Sequence, residues 1–129
     1  MDTKRLLPLF SCSLLLISCG ESPPPEAAET KKPSHPWDWV PEDAELVSGR
    51  SVYLSECSMC HDEGEEGAPA LTNAAEWATR EAKTPEVLFD HAINGFVGND
   101  GEMPARGGTP SLTDEQVIAA VKYMLATPK

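Results

Sequence analysis

Two cysteines and a histidine stand together in Cys57-Ser58-Met59-Cys60-His61, inside the polar, acidic stretch YLSECSMCHDEGEEGAPAL from Tyr53 to Leu71. A bare disulfide leaves His61 without a part, and a catalytic thiol leaves one cysteine over. The pattern C-x-x-C-H is that of covalent haem attachment. One helical turn brings both sulfurs to where they form thioethers with the two vinyl groups of a single porphyrin, and the adjacent imidazole then falls under the iron. On this reading Cys57 and Cys60 hold the group. His61 is the proximal ligand, bonding through a neutral ring nitrogen while a backbone carbonyl fixes its tautomer.

Two other chemistries use the same residue types. A redox dithiol wants a thioredoxin-like βαβ setting, and no such pattern surrounds Cys57 and Cys60. A structural zinc site wants a fourth ligand and usually a second paired motif, and His35 and His91 are the histidines left to supply it. Haem iron itself needs a sixth ligand or an open position. Met59 is confined to the proximal side, and Met124 lies on the apolar stripe of the last helix, where it reads as core. Met103 sits in Gly101-Glu102-Met103-Pro104-Ala105-Arg106-Gly107-Gly108, where Pro104 stiffens the backbone and the glycines allow the loop to pass close over a flat ring. His91 is its rival as a ligand.

The chain has 129 residues and four cysteines. Residues 1–18 have a basic start at Lys4 and Arg5, an apolar run from Leu6 to Ile17 and a small residue at Ser18, the layout of a secretory leader too short to span a bilayer comfortably. Leu16-Ile17-Ser18-Cys19-Gly20 resembles a bacterial lipobox, which makes Cys19 the lipidated mature N-terminus. Cleavage removes Cys12 and lipidation takes Cys19, so Cys57 and Cys60 remain and no disulfide framework is possible. The residues ESPPPEAAETKKPSHP, Glu21 to Pro36, hold five prolines and no large apolar side chain. Such a segment cannot bury enough surface to form a core; in polyproline-like form, at about 3.1 Å per residue, it reaches roughly 50 Å. The expected organisation is therefore a leader over 1–18, a lipidated, Pro-rich tether over 19–40 and one small folded domain over 41–129.

The formal charge of −11 becomes one unit more negative when the leader takes Asp2, Lys4 and Arg5 with it. That surface repels nucleic acid phosphates and favours a basic partner face. The domain reads as all-α. Pro41, Glu42 and Asp43 suit a helix start, with Leu46, Gly49 and Tyr53 sharing one face and the helix leading into Cys57. A second helix covers 73–80, a third runs from Thr84-Pro85-Glu86 to Asn94-Gly95, and the last opens on a capping box of Thr113 and Gln116. No segment alternates as a strand. Trp37 and Trp39 either staple the tether to this domain or sit in an interface, and packing is the preferred reading. The apolar positions are few for a core of this size, and a large apolar cofactor would fill the middle.

Gly49-Arg50-Ser51-Val52-Tyr53 ahead of the C-x-x-C-H pentapeptide, then Gly67-Ala68-Pro69, and Met103-Pro104 before a C-terminal helix with Tyr123, resemble a class I c-type cytochrome. Glu76-Trp77-Ala78-Thr79-Arg80, the stretch from Phe89 to Phe96, the stretch from Met103 to Gly108 and that from Ser111 to Val117 narrow the resemblance to the cytochrome c5 group, over about Glu42 to Ala126. The resemblance implies one haem c on Cys57 and Cys60, His61 and Met103 as axial ligands, and N- and C-terminal helices crossing near Gly49 and Tyr123. It also implies that Trp77 and Arg80 donate to the haem propionates. The extra cysteine pair common in that group is missing here.

The function implied is an exported, membrane-tethered carrier of single electrons rather than an enzyme, because protein ligands at both axial positions keep substrate off the iron. Its implied partners are redox proteins of the cell envelope, with quinol-side donors and a terminal oxidase or reductase as acceptor. The competing readings are a haem enzyme or gas sensor in which Met103 dissociates, and a zinc-binding structural module.

Overall fold

The computed structural model describes residues 34–129. The expected leader at 1–18, the lipidated Cys19 and most of the expected tether lie outside the described residues.

The first helix, α1 (Ala44–Val52), begins where the Asp43 carboxylate accepts the backbone N–H groups of Glu45 and Leu46 at 2.9 and 3.1 Å. That cap satisfies two of the orphan donors every helix start carries. It sets the start later than the expected Pro41, which is buried instead. The helix then widens into a single π turn, Tyr53–Cys57, and tightens again as α2 (Ser58–His61). Serine hydroxyls accompany the wide turn: Ser55 donates to the carbonyls of Ser51 and Val52, and Ser58 to that of Leu54. A π turn inserts one residue into the helical count. Val52, Cys57 and His61, spaced by five and then four, thereby come to one side.

Helix α3 (Ala74–Glu81) is capped by the Asn73 side chain on the Glu76 N–H, and α4 (Pro85–Asn94) starts on Pro85 and stops at Gly95, whose φ of 88° suits glycine. Thr84 holds the expected cap position of α4, but its hydroxyl makes no capping bond. A hairpin that the sequence reading does not include follows. Its strands β1 (Phe96–Val97) and β2 (Glu102–Met103) pair antiparallel with Phe96 opposite Met103 and Val97 opposite Glu102. The hairpin ends close against the segment after α2: a Cβ on Gly67 would stand 2.1 Å from the Asp100 carbonyl oxygen, and one on Gly101 2.0 Å from that of Glu66. A tight turn, Ala105–Gly108, leads to α5 (Asp114–Ala126), which carries the expected reciprocal cap between Thr113 and Gln116. With α1 to α2 taken as one run, four α-helices are present among the described residues, as expected; the two-residue strands correct the expectation of a strand-free domain.

α1 crosses α5 at Gly49, where a Cβ would stand 2.0 Å from the Ala119 carbonyl oxygen. Around the crossing Tyr53, Leu71, Trp77, Tyr123 and Met124 form the buried cluster. Trp37 and Trp39 pack on that cluster, and Trp39 stacks on Tyr123 at 5.7 Å between ring centroids. Residues 36–39 are also tied by hydrogen bonds. Arg50 donates to the carbonyls of Trp39 and Trp37 at 3.1 Å each, and the Tyr123 hydroxyl lies 3.3 Å from the same two oxygens.

Gly49→Ala drives a methyl into backbone that has nowhere to move, a cost of about 2–3 kcal/mol. Thermal unfolding followed by circular dichroism is expected to shift down by roughly 10–20 °C, and an unchanged midpoint would mean that the crossing is looser than its geometry.

Candidate cofactor site

A cavity of about 320 Å³, open mouth included, lies where these elements meet. Val52, Cys57 and His61 enter it from the first helical run. Ala92 comes from α4 and Met103 from β2. Arg106, Gly107 and Leu112 come from the connection to α5, and Val117, Ala120, Val121 and Met124 from α5 itself. The lining is aliphatic apart from the two sulfur ligand types, the imidazole and Arg106. The Arg106 guanidinium is engaged with the Leu112 carbonyl at 2.7 Å and with the Asp114 carboxylate.

His61 is 8 % exposed, and burial holds its imidazole below the ordinary histidine range, with the Arg80 charge adding in the same direction. It is therefore neutral at physiological pH, the state that binds metal. The Nδ1 atom lies 3.1 Å from the Pro69 carbonyl oxygen, which assigns it the proton and leaves Nε2 as the free donor atom. The carbonyl is itself held. Leu71 N–H donates to the His61 carbonyl at 2.6 Å, and the Trp77 indole N–H donates to the Ala70 carbonyl at 2.8 Å. The loop is thus pinned at the two residues that directly follow the one that orients the imidazole. Below it, the Tyr53 hydroxyl donates to the Asp62 carboxylate, tying the π turn to the end of α2.

Burial pushes the Cys57 thiol up to about 11, with Glu56 and Cys60 adding negative potential. Reactive and redox-active cysteines have depressed values instead, so the dithiol reading gains no support. Among the described residues no three His, Cys, Asp or Glu side chains gather as a metal-binding group, so the zinc reading has no ligand set there.

The structure brings Cys57, His61 and Met103 to one cavity, with Cys60 one turn along α2. Trp77 and Arg80 are elsewhere: neither lines the cavity, the Trp77 N–H belongs to Ala70, and Arg80 donates to the Glu76 carbonyl at 2.9 Å. Trp77 stands behind His61 at 6.4 Å between ring centroids. His91 stacks on Phe96 at 4.1 Å and is not in the lining. Met59 is 86 % exposed. Met124 is core, as expected, although its buried side chain also reaches the cavity wall. Gly107 lines the cavity, in keeping with the close passage expected of the glycines in this loop, and Arg106 is a lining residue the sequence reading leaves without a role; its place directly after Met103-Pro104-Ala105 is the signal that points to it. A thiol pair one turn apart, a neutral imidazole with one nitrogen free, a thioether and an aliphatic wall are a donor set and surface suited to a haem.

Residues 44–124, more than half of the chain, match the family model described as cytochrome c oxidase, cbb3-type, subunit III. A cytochrome c-555 of Chlorobaculum thiosulfatiphilum is 42% identical over 85 residues, which span 66% of this chain and 99% of that protein. A cytochrome c-551 of Halorhodospira halophila is 34% identical over 83 residues, spanning 61% of this chain and 97% of that one. A chain in the crystal structure of an electron-transfer complex of nitrite reductase with cytochrome c aligns with a TM-score of 0.54 and 35% identity, over 60% of this chain and 90% of its own length.

Trp77→Phe keeps the aromatic volume and deletes the N–H that holds Ala70, at a cost of about 1–2 kcal/mol. Denaturant titration of the loaded protein is expected to show an unfolding free energy lower by that amount and so an earlier midpoint; no shift would remove Trp77 from the support of the His61 loop.

Proposed function

The chain belongs to the class I c-type cytochromes, electron-transfer proteins that carry haem c, and we propose that it is a membrane-tethered carrier with His61 and Met103 as its axial ligands. Haem c is covalent in this family, and Cys57 and Cys60 are the C-x-x-C-H cysteines that bind it. When bound, the haem supplies a one-electron couple between ferric and ferrous iron. The observation that carries the ligand assignment is the entry of His61 and Met103, an imidazole and a thioether, into one cavity; Met124, the other thioether in its wall, belongs to the buried core cluster. His61 offers Nε2 because its Nδ1–H donates to the Pro69 carbonyl. Met103 offers a soft sulfur, which favours the reduced state and raises the potential. The aliphatic wall from α5 and Ala92 keeps water away and penalises added charge. With both axial positions supplied by the chain, electrons move and no substrate bond is made.

The proposal extends to the whole chain: a leader over 1–18, lipidation at Cys19, a tether over 19–40 that anchors the domain to a membrane after export, and the haem domain over 41–129. The layout of the first forty residues supports it. Its partners are redox proteins, with quinol-side donors and a terminal oxidase or reductase as acceptor. The complex with nitrite reductase in the structural relative supports an acceptor of the reductase class.

Replacing Met103 by alanine is expected to lower the midpoint potential by roughly a tenth or more of the ~0.8 V that axial ligands command and to let the ferrous protein bind carbon monoxide. Potentiometry with unchanged potential and unchanged carbon monoxide binding would assign the sulfur to another residue. The formal charge of −11 steers a basic docking face, so electron transfer to a basic redox partner is expected to slow several-fold as ionic strength rises from about 0.01 to 0.15 M. A flat response in stopped-flow traces would remove steering from the account.

A further inference from the structure

Met103 lies in a connection whose backbone is unusual. Arg106, Gly107 and Gly108 are consecutive left-handed residues, with φ of 56°, 62° and 83°. Arginine does not hold that conformation unaided, so contacts at both ends of the turn must fix it. On the α5 side the Arg106 guanidinium meets the Leu112 carbonyl and the Asp114 carboxylate. On the other side the connection meets Glu56. The Thr109 hydroxyl donates to the Glu56 carboxylate at 2.7 Å in a half-buried setting, across 53 residues of sequence. A Cβ on Gly107 would stand 3.4 Å from the Glu56 carbonyl oxygen, an ordinary contact distance, so the two backbones run near each other with room for a side chain between them. Glu56 precedes Cys57 inside the π turn. The extra residue of that turn sends Cys57 into the cavity and leaves Glu56 beside it, facing the methionine connection.

We propose that Glu56 is a positioning residue: its carboxylate, holding the Thr109 hydroxyl, latches the Met103 connection onto the helical run that bears the haem cysteines. The inference rests on the reading of Met103 as an iron ligand. The latch joins the two halves of the site directly. One end belongs to the residue next to Cys57, and the other to the turn that follows Met103. Breaking it leaves the Arg106 contacts as the side-chain tie of the turn, and Met103 is free to leave and return more often. A half-buried carboxylate is costly unless it is paired, and Thr109 is its partner.

The test compares the wild-type haem protein with Thr109→Val, Glu56→Ala and Glu56→Gln, reading the far-red band of methionine-bound ferric iron and the fraction of ferrous protein that binds carbon monoxide at a fixed concentration. Valine removes the donor at constant shape, and alanine removes the acceptor. Glutamine retains an amide oxygen that accepts from Thr109. Thr109→Val and Glu56→Ala are expected to raise carbon monoxide binding about tenfold, the scale of a lost hydrogen bond to a charged group. Glu56→Gln should stay within about twofold of the wild type, with far-ultraviolet circular dichroism unchanged throughout. If the wild type shows the band and Thr109→Val opens no further than it does, the latch is overturned while the ligand reading stands. If Glu56→Gln opens as far as Glu56→Ala, the hydrogen bond is not what closes the site, and this too overturns the latch. A wild type without the band overturns the ligand reading, and the latch with it. Should one variant fail to load haem, the other two still decide the matter.

Discussion

Backbone-to-backbone contact between Gly49 and Ala119 sets the position of everything that follows it along the chain. α1 runs without a break through the π turn into α2, so its seat on α5 decides where Cys57 and His61 point. A side chain at position 49 would lift that whole run off α5. The partner helix then supplies the opposite wall, through Val117, Ala120, Val121 and Met124. Cofactor attachment and core formation are therefore one arrangement: the helix pair that closes the domain also lines the site. A small domain with few large buried side chains gains from a bulky apolar group between its helices.

The polar contacts around that pair are organised in two layers. Next to the cavity, Pro69 orients the imidazole; behind it, Leu71 N–H and the Trp77 indole hold the loop that contains Pro69. On the other side, Arg106 and Glu56 hold the connection that carries Met103. Neither His61 nor Met103 sits on a free loop, although both depend on segments outside regular helix. Among the described residues no buried side-chain nitrogen or oxygen is left without a partner. Burial outweighs the Pro69 hydrogen bond, which favours the charged ring, and the net direction is toward the neutral His61 that a metal requires.

Much of this was legible because it is local. The capping box at Thr113 and Gln116, the stop at Gly95 and the C-x-x-C-H turn are each written within a few neighbouring residues. The start of α1 was displaced because two capping signals compete within three residues; the Asp43 carboxylate wins, and the Pro41 ring goes inside. The π turn leaves no trace in a 3.6-residue period and declares itself only in the five-residue step from Val52 to Cys57. Strands of two residues are too short to alternate. The remaining features are long-range: Gly67 against Asp100, Glu56 against Thr109, and Arg50 on the carbonyls of Trp37 and Trp39. No spacing rule reports contacts of that kind. The Trp77 indole N–H on the Ala70 carbonyl is a contact of the same kind.

The central claim is one covalent haem held between His61 and a methionine sulfur, and the most direct measurement is the absorption spectrum of the purified protein, oxidised and reduced, before and after denaturation. The account predicts a haem c spectrum that stays with the unfolded polypeptide, together with a weak far-red band in the native ferric protein that disappears on unfolding. Colour that separates from the chain on denaturation, or a native ferric spectrum lacking that band, would contradict it.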